Sequence, residues 1–491
     1  MKKREFFLLT LVILGAFAVR LYRFNGPVAD WHSWRQSDTA AVSRNFLKFG
    51  FDVLHPRFDD LSNGVSLLDN PQGYRFVEFP FYNVLQAGLF RLFDRFTIEQ
   101  WGRLVTNISA VIGIIFLYLL VRLHVSWQAA IFAALFYAVV PYNVYYGRVI
   151  LPDQLMTSMM LGSIYFFDVW IEKKYKLLLT LSAVFFATAL LIKPYVLFFG
   201  LSIFYLIYRK YGLDFVKKKE LWFFLILSFL PFFLWRWWMQ HYPEGIPRND
   251  WLYNGNEIRF KIAFFWWIFA ERIAKIMLGY WGLPIVILGI LGKVKEKEGF
   301  FFLTFIISSL AYLTVFATGN VQHEYYQILI VPTLAIFFGK GVDVFLSLSQ
   351  KEFSRTIGIA ALGGCFGFML IFSWREIRAY YNINHPEIIE AGRAIDKLTP
   401  KDAKIIAIYN GDTTFLYHTN RQGWPVWERP LYEFIKAGAG YITFVNPTKD
   451  ELGFGKHYTT LARTEKYVIF DLTRPLYFPP LHEVEASQSA K

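Results

Sequence analysis

Apolar segments long enough to cross a bilayer recur along most of this chain and limit what it can fold into. A helix needs about 20 predominantly apolar residues to span the hydrocarbon core. Segments of this kind lie near residues 5–22, 104–122, 127–144, 153–171, 176–193, 195–209, 221–238, 280–293, 299–317, 325–339 and 357–374. In a bilayer, helices satisfy all of their own backbone hydrogen bonds. The pattern therefore predicts an α-helical polytopic membrane protein with about eleven transmembrane helices.

The charge balance fits the same class. Only 18% of the 491 residues are charged, and 51 basic residues exceed 38 acidic residues to give a formal charge of +13. In a soluble protein this excess would suggest nucleic acid, but cytoplasmic loops and lipid phosphates explain it better in a membrane protein. We therefore expect a membrane-embedded chain with no nucleic-acid partner. The single cysteine, Cys365, excludes an intramolecular disulfide and a cysteine-based zinc site.

The basic loops predict the orientation. Clusters of Lys and Arg occur in the loops 172–176, 209–219, 293–297 and 351–355, which places these loops in the cytoplasm. The N-terminal Met1-Lys2-Lys3-Arg4 precedes an apolar segment without a small-residue cleavage site, which predicts an uncleaved first helix. An odd number of spans then places the C-terminus outside. The predicted location is the cytoplasmic (inner) membrane, with the active site and C-terminus extracytoplasmic.

Two kinds of domain follow from the composition. Residues 1–375 are predicted to be a transmembrane catalytic domain whose first outer loop covers 23–80, and residues 376–491 a small extracytoplasmic α/β domain with a polar, disordered tail after residue 480. In the second domain, 386–398 has helical periodicity, and the short β-rich runs are 405–409, 441–445 and 467–471. Residues 79–96 are amphipathic and predict an interfacial helix. Residues 240–275 are expected to be a long outer loop, rich in aromatic residues, that carries Arg248, Arg259 and Arg272.

The polar run from Trp31 to Tyr82 concentrates charged residues between aromatic ones, directly after the first apolar segment. Its best candidate acids are Asp38 and Glu78. A carboxylate at a membrane end is partly desolvated, which raises its pKa and suits it to accept a proton from a hydroxyl nucleophile. The alternatives are that Asp38 caps a helix beginning at Thr39 and that Glu78 is a solvated loop residue.

Three further groups of residues lie at predicted outer helix ends. Asp153 follows Arg148 and Pro152 and is either a functional carboxylate or a helix cap. Lys193 is expected either to snorkel to the interface or to hold a lipid phosphate. The cluster His323-Glu324-Tyr325-Tyr326 opens a helix, where the dipole alone favours the acid. By the predicted topology, all of these groups emerge on one side of the membrane together with Asp38 and Glu78, which favours one outer active site.

These residues lie in short motifs that follow one another along the chain. The motifs are Trp34-Arg35-Gln36-Ser37-Asp38-Thr39, Arg44-Asn45-Phe46, His55-Pro56-Arg57-Phe58-Asp59, Glu78-Phe79-Pro80-Phe81-Tyr82, Gly102-Arg103-Leu104, Arg148-Val149-Ile150-Leu151-Pro152-Asp153, Lys193-Pro194 and His323-Glu324-Tyr325-Tyr326. Over about residues 5–340 the chain resembles the polyprenyl-phosphate-dependent glycosyltransferases of the GT-C superfamily. It is most similar there to the bacterial branch of glycosyltransferase family 39, which is related to protein O-mannosyltransferases and lipid A aminoarabinose transferases.

The resemblance implies that a sugar is transferred from a polyprenyl-phosphate-linked donor to a hydroxyl of a lipid, glycan or protein acceptor. It implies that an acidic residue of the first outer loop acts at the catalytic centre, and Asp38 matches that position. We therefore expect Asp38 to be the base and Glu78 either to orient the acceptor or to share the role of base. The remaining predicted substrate-binding residues are Arg35, Arg57, Asp59, Arg148, Asp153, Lys193, Arg248, Arg259, His323, Glu324, Tyr325 and Tyr326. Two departures matter: many relatives have an acidic pair where this chain has Asp38-Thr39, and aminoarabinose transferases have a lysine before a Pro-Pro-Leu run where this chain has Glu78 before Phe79-Pro80.

Two other functions and one cofactor stay open. A transporter or lipid flippase would also have many helices and basic residues, but it predicts charged or broken helices near the bilayer midplane. A non-catalytic assembly or receptor protein predicts that Asp38 and Glu78 tolerate substitution. No cofactor is predicted with certainty, and a divalent metal held among Asp38, Glu78, Asp153 and His323 stays open because nothing fixes a ligand spacing.

Overall fold

Helices form most of the chain and follow the apolar segments of the sequence. The computed structural model describes residues 2–352 and 354–476. Its longer helices are Lys3–Val19, Ser33–Phe49, Phe81–Leu92, Ile98–His124, Trp127–Val139, Asp153–Lys173, Lys176–Ile192, Gly200–Tyr211, Lys219–Met239, Leu283–Leu291, Phe301–Val315, Val331–Glu352, Arg355–Ile377 and Pro386–Leu398. Every predicted apolar segment coincides with one of these helices, extended in two cases by the 3-10 turns Pro194–Phe199 and Glu324–Ile330. The predicted helical class is confirmed.

Several helices have the length and composition of membrane spans. Within the described residues, five stretches are long and apolar enough to cross a membrane: Ile98–His124, Pro194–Lys217, Lys219–Met239, Glu324–Ser349 and Thr356–Leu398. Three shorter helices, Trp127–Val139, Lys176–Ile192 and Phe301–Val315, are also apolar. These helices support a polytopic membrane protein, whereas the count of about eleven spans stays a prediction.

Contacts divide the described chain into two units, which we call the helical unit and the mixed unit. The helical unit comprises 2–24, 102–238 and 249–381, apart from residue 353, and the mixed unit comprises 25–101, 239–248 and 382–476. The predicted first outer loop thus lies in one unit with the C-terminal residues. The assignment of 1–375 to the membrane and of 376–491 to the outside stays a prediction.

Glycines allow close helix contact in the helical unit. A Cβ on Gly341 would lie 1.8 Å from the carbonyl oxygen of Ile285, and a Cβ on Gly289 would lie 1.9 Å from that of Phe337. Any larger residue at either position would clash with backbone, so helices Leu283–Leu291 and Val331–Glu352 meet through their backbones. Small residues serve this purpose in membrane helix pairs, where dispersion contacts between helices replace the hydrophobic effect.

A five-stranded sheet forms the core of the mixed unit. Its strands are β1 (Lys404–Ala407), β2 (Gln422–Trp424), β3 (Ala439–Val445), β4 (Tyr458–Arg463) and β5 (Tyr467–Pro475), in the order β2-β1-β3-β5-β4. Strand β1 runs parallel to β2 and β3, and β5 runs antiparallel to β3 and β4. The three predicted strands and the helix Pro386–Leu398 are confirmed. Strands β2 and β4 were not predicted, because β2 has only three residues and β4 lacks an apolar alternation.

The polar run after the first apolar segment is not all loop. Residues Ser33–Phe49 form a helix, which ends at Gly50, where a positive φ of 98° favours glycine. The run then joins the sheet of the mixed unit, since the backbone N–H of Leu61 donates to the carbonyl of Gly423 at 2.7 Å. The helix Ser33–Phe49 is buried against the rest of its unit, which stabilises it. The low hydrophobicity of its sequence did not predict this helix.

Other predicted segments have mixed outcomes. The expected loop 240–275 contains several short helices and the π-helix Trp266–Met277, so the loop prediction is wrong for its second half. The amphipathic segment 79–96 forms the helix Phe81–Leu92, and its interfacial position stays a prediction. The predicted disordered tail after residue 480 lies outside the described residues, as do parts of the basic loop 351–355.

Candidate active site

Asp38 lies in the second turn of helix Ser33–Phe49, with its side chain almost fully buried. Its Oδ2 atom is 2.8 Å from Nη2 of Arg75, and its Oδ1 atom accepts a 2.6 Å hydrogen bond from the Thr413 hydroxyl. Hydrogen bonds to charged groups are strong where water is excluded. These two partners hold the Asp38 carboxylate in one orientation. Asp38 is therefore inside the helix and does not cap a helix that begins at Thr39.

A short helix places Thr413 against Asp38. The Asp412 side chain accepts a hydrogen bond of 2.7 Å from the backbone N–H of Thr414, which caps the helix Thr413–His418. The Thr413 hydroxyl also lies 3.2 Å from the carbonyl oxygen of Trp34. Thr413 is not among the predicted site residues. The Asp412-Thr413-Thr414 sequence is a helix-start signal that could have located this helix.

Glu78 lies beside the same group of charges. Arg35 donates to Oε1 of Glu78 and, at 3.0 Å, to the hydroxyl of Thr39. A crevice of about 10 Å³ is lined by Arg35, Thr39, Val42, Pro56, Arg75, Glu78, Pro80 and Asn83. This volume is about enough for one water molecule. The Glu78 side chain is 13% exposed and that of Asp38 5%, so Glu78 is the acid that solvent reaches more easily. Glu78 is thus an ion-paired residue at the crevice and not a solvated loop residue.

Asp60 is a third acid of this group that the predicted site residues do not include. Burial, together with a smaller effect of the nearby Asp38, raises the pKa of Asp60 from 3.8 to about 7, although the Ser62 N–H, 2.7 Å away, and the Arg75 guanidinium act in the opposite direction. A carboxyl group with a pKa near neutrality can both take up and release a proton at physiological pH. The sequence shows two adjacent aspartates at positions 59 and 60. It does not show that Asp59 forms an ion pair with Arg44 whereas Asp60 is the member with the raised pKa.

Replacing Asp60 with asparagine should remove a pH dependence of stability. Between about pH 4 and pH 7 the folded chain keeps a proton that the unfolded chain has lost, so the free energy of unfolding falls as the pH rises through this interval. Asparagine keeps an acceptor for Ser62 without the charge. We expect Asp60→Asn to raise stability at pH 8 by about 2–4 kcal/mol and to change it little at pH 4. Thermal unfolding across this range tests the prediction, with the exposed Asp402→Asn as a control that should show no such trend.

Removing the Thr413 hydroxyl should impair Asp38. A hydrogen bond to a charged group contributes about 1.5–3 kcal/mol, so Thr413→Val should lower the rate of the reaction that uses Asp38 by about 10- to 100-fold. Thr413→Ser should restore most of the rate. The neighbouring Thr414 is also buried, but its hydroxyl contacts Ser33 at 2.9 Å. Thr414→Val is therefore a matched control, and an equal loss of rate in both valine variants would show that Thr413 only supports the fold.

A second cluster of predicted residues forms within the helical unit. Nζ of Lys193 is 2.7 Å from Oδ1 of Asp153, and both side chains are more than 90% buried. The same ammonium lies 5.4 Å and 5.7 Å from the ring centres of Tyr325 and Tyr326. The snorkelling alternative for Lys193 is therefore wrong, because the ammonium points at buried partners. Asp153 is the first residue of helix Asp153–Lys173, and its second oxygen has no hydrogen-bond partner among the described residues.

His323 and Glu324 are positioned by neighbours that the predicted site residues omit. Arg272, on the π-helix, forms a 2.7 Å ion pair with Oε1 of Glu324 and donates to the carbonyl of Val321 at 3.0 Å. The His323 ring stacks on the ring of Tyr325 with centres 5.6 Å apart. The sequence placed Arg272 in a loop, so it gave no sign that this arginine is buried and faces Glu324.

Two other predicted binding residues have partners within the mixed unit. The buried Asp59 pairs with Arg44. The guanidinium of Arg57 lies 5.5 Å from the ring centre of Tyr74. The Arg44–Asp59 pair ties the helix Ser33–Phe49 to the segment that follows it. A role of Asp59 or Arg57 in substrate binding stays a prediction.

Three predicted arginines lie elsewhere. Arg148 is buried in the helical unit with its guanidinium 4.8 Å from the ring centre of Tyr381. Arg259 belongs to the same unit and donates to the carbonyl of Val315 at 2.9 Å. Arg248 is exposed in the mixed unit. Their contact with a substrate stays a prediction, as does the convergence of the two clusters at one pocket.

The described residues provide no evident metal centre. Among residues 2–352 and 354–476, no group of three or more His, Cys, Asp or Glu side chains is arranged to hold a metal ion. The carboxylates that could have contributed are instead bound to cations, as Asp38 is to Arg75 and Asp153 is to Lys193. We therefore assign no metal ligand.

Comparison with known proteins relates this geometry to a family and a fold. A family model described as dolichyl-phosphate-mannose-protein mannosyltransferase matches residues 76–238. A search of curated protein sequences finds no match. The structure of ArnT from Cupriavidus metallidurans bound to undecaprenyl phosphate matches with a TM-score of 0.66 and 13% identity, covering 96% of this chain and 98% of that one.

Two further structures share the fold. The Archaeoglobus fulgidus oligosaccharyltransferase in its apo form matches with a TM-score of 0.62 and 10% identity over 94% of this chain and 73% of that one. The arabinofuranosyltransferase AftD from Mycobacteria matches with a TM-score of 0.57 and 13% identity, over 96% of this chain and 42% of that one. The resemblance drawn from the sequence motifs is thus confirmed. Over residues 76–238 this chain is thus similar to a mannosyltransferase family, and as a whole it shares its fold with solved glycosyltransferases.

Proposed function

We propose that this protein transfers a sugar, mannose-like or another hexose or pentose, from a polyprenyl-phosphate donor to a hydroxyl of a lipid, glycan or protein acceptor. The transfer takes place on the outer face of the cytoplasmic membrane. The observation that carries the proposal is the buried Asp38 carboxylate, held between a cation and an alcohol. Support comes from the fold shared with ArnT, whose structure contains undecaprenyl phosphate.

The proposed reaction is a single displacement at the anomeric carbon. The acceptor O–H gives its proton to the Asp38 carboxylate as its oxygen forms a bond to the anomeric carbon. The bond from that carbon to the phosphate oxygen breaks, and the polyprenyl phosphate leaves with the electron pair. Such a reaction needs a base beside the acceptor and cations beside the departing phosphate. Oδ1 of Asp38 already accepts a hydrogen bond from an alcohol, the Thr413 hydroxyl at 2.6 Å, and this contact supports the proposed role.

Glu78 and Arg35 complete the acceptor side of the proposal. Glu78 is the more exposed of the two acids and is bound by Arg35, so it is suited to accept a hydrogen bond from an incoming acceptor. Asp60, whose pKa is about 7, is suited to exchange protons with the site after each turnover. In this proposal Asp38 acts as the base, Glu78 orients the acceptor, and Asp60 removes the proton from Asp38 after each turnover.

The donor side is assigned to the cluster in the helical unit. Lys193 supplies a positive charge for the phosphate, and the Arg272 guanidinium supplies a second one. The buried oxygen of Asp153 that has no hydrogen-bond partner among the described residues is suited to accept a bond from a sugar hydroxyl. Tyr325 and Tyr326 line this side. An aromatic surface next to a cation is a common platform for a sugar phosphate, since the ring faces cover the apolar faces of the sugar.

The position of the charges argues against a transporter or flippase. Asp153 is the first residue of its helix, and Lys193 directly follows the last residue of helix Lys176–Ile192. The pair thus lies at helix ends, whereas transporters place polar groups and broken helices at the bilayer midplane. The position of this pair supports a site at a membrane surface.

Transfer of label from a defined donor tests the proposal. Membranes that contain the protein would be incubated with radiolabelled polyprenyl-phosphate mannose, glucose or a pentose, and the lipid, glycan and protein fractions would be counted. We expect one donor to label one fraction, and the label to be absent with Asp38→Asn. Mass spectrometry of cell-envelope glycans with and without the protein would then identify the product. A folded protein preparation that transfers no label from any polyprenyl-phosphate sugar would contradict the proposal if deletion of the protein also leaves the glycans unchanged.

A further inference from the structure

A second polar cavity lies within the helical unit, at the opposite end of a helix from Asp153. Its volume is about 410 Å³, which is in the size range of ligand pockets. It is lined by Leu123, His124, Asp168, Val169, Ile171, Glu172, Lys173, Leu206, Arg209, Lys210 and Lys297. Helix Asp153–Lys173 has 21 residues and is therefore about 30 Å long, so this cavity is far from the cluster around Lys193. No step of the proposed sugar transfer uses it.

The two carboxylates of this cavity already have partners. Oδ2 of Asp168 is 2.7 Å from Nε2 of His124, whose Nδ1 lies 3.1 Å from the carbonyl oxygen of Lys297. Both ring nitrogens of His124 therefore lie within hydrogen-bond distance of an oxygen. Glu172 forms a 2.8 Å ion pair with Lys210. No acid of the lining is left to balance a further cation.

Three cations of the lining are not neutralised. Arg209 donates to the backbone carbonyls of Lys297 and Glu296 at 2.8 Å and 3.3 Å, and these carbonyls carry no net charge. The ammonium groups of Lys173 and Lys297 form no ion pair with any described residue. Three positive charges at the rim of a cavity are suited to a phosphate group, to which arginine presents a fork and lysine a point charge.

Apolar side chains complete the lining and suggest that the phosphate belongs to a lipid. Leu123, Val169, Ile171 and Leu206 lie on helices that end at the cavity, next to the basic residues. The C-terminal ends of helices Ile98–His124, Asp153–Lys173 and Gly200–Tyr211 favour cations through their dipoles, which accounts for some of the basic residues but not for a cavity between them. Basic cavities between membrane helices bind anionic lipid head groups. We propose that this cavity binds a phosphate group, with the head group of an anionic phospholipid as its source.

Lipid binding to the purified full-length protein tests this proposal. The probes are phosphatidylglycerol, diacylglycerol with the same chains, and soluble glycerol phosphate, and the readouts are native mass spectrometry and thermal unfolding in detergent. Lys173→Gln/Lys297→Gln removes two unpaired charges, and we expect it to weaken phosphatidylglycerol binding about 10- to 30-fold. Lys217→Gln/Lys219→Gln is the matched control, since these lysines belong to the basic segment that follows Tyr211 but do not line the cavity.

Each outcome decides the proposal. Loss of binding only in the cavity variant, together with weaker binding of diacylglycerol, supports a lipid phosphate site. Equal protection by glycerol phosphate supports the phosphate site and assigns it to a soluble ligand. If diacylglycerol binds as well as phosphatidylglycerol, or if both double variants lose affinity equally, the cavity is not a phosphate site. These results do not depend on sugar transfer, so the failure of either proposal leaves the other intact.

Discussion

Asp38→Asn is expected to reduce sugar transfer by about 100- to 10,000-fold, the contribution of a general base. Asparagine has the shape of aspartate and keeps an oxygen that can accept the Thr413 hydroxyl, but it cannot take the acceptor proton. The substitution also leaves the buried Arg75 without its carboxylate partner. A rate measurement with labelled donor, made together with thermal unfolding, separates loss of catalysis from loss of fold.

A second carboxylate that pairs with a buried arginine supplies the control for this variant. Asp396 in the same unit is 2.7 Å from Nη1 of Arg421, whose side chain is fully buried. Asp396→Asn therefore also removes a carboxylate from a buried arginine, and it should lower stability to a similar extent while transfer stays near the wild-type rate. If the two variants lose activity in proportion to their loss of stability, Asp38 has only a structural role.

Lys193→Met is expected to lower both the thermal stability and the affinity for the donor. It leaves Asp153 buried and unpaired, and breaking such a pair costs about 3–5 kcal/mol. It also removes the positive charge that we assign to the donor phosphate. We expect a marked fall in thermal stability and an increase in KM for the polyprenyl-phosphate donor, measured on protein that remains folded at low temperature.

The double variant Asp153→Asn/Lys193→Met separates these two effects. It removes both charges, so stability should largely recover, whereas donor binding should not. Lys340 and Glu298 form another buried pair in the helical unit, which provides a matched comparison. Lys340→Met should lower stability without raising KM for the donor. Recovery of both stability and donor binding in the double variant would exclude Lys193 from phosphate binding.

The helical scaffold could be predicted because its signal is local. Apolar runs of 15–25 residues determine where helices lie, whatever their neighbours are. The same reasoning found the helix Pro386–Leu398 and three strands of the sheet. Apolar periodicity did not predict the helix Ser33–Phe49. This helix is largely polar, and its charged side chains form ion pairs within their own unit. The same reasoning also failed for the π-helix Trp266–Met277, where arginine and tryptophan resembled an interfacial loop.

The members of the candidate site could be named only in part. Asp38 and Glu78 lie in sequence motifs, and Asp153 and Lys193 lie in motifs that are also at helix ends, so their residue types and positions made them candidates. Their partners could not be identified from the sequence, because the contacts join distant segments. Thr413 is 375 residues from Asp38, and Arg75 carries no local pattern that ties it to that acid. The burial that raises the pKa of Asp60 depends on the folded chain in the same way.

The proposed reaction requires that the cluster around Asp38 and the cluster around Lys193 both face the outer side of the membrane. Cys365→Ala provides a cysteine-free background, since Cys365 is the single cysteine of the chain. Cysteines would be introduced one at a time at exposed positions: at Asp52 for the first cluster, at Glu257 for the second, and at Lys173 for the opposite end of the helical unit. An impermeant maleimide added to intact spheroplasts should label the first two positions and should label Lys173→Cys only after permeabilisation. If Asp52→Cys and Glu257→Cys are labelled from opposite faces, the two clusters cannot act on one donor, and the proposed reaction is wrong.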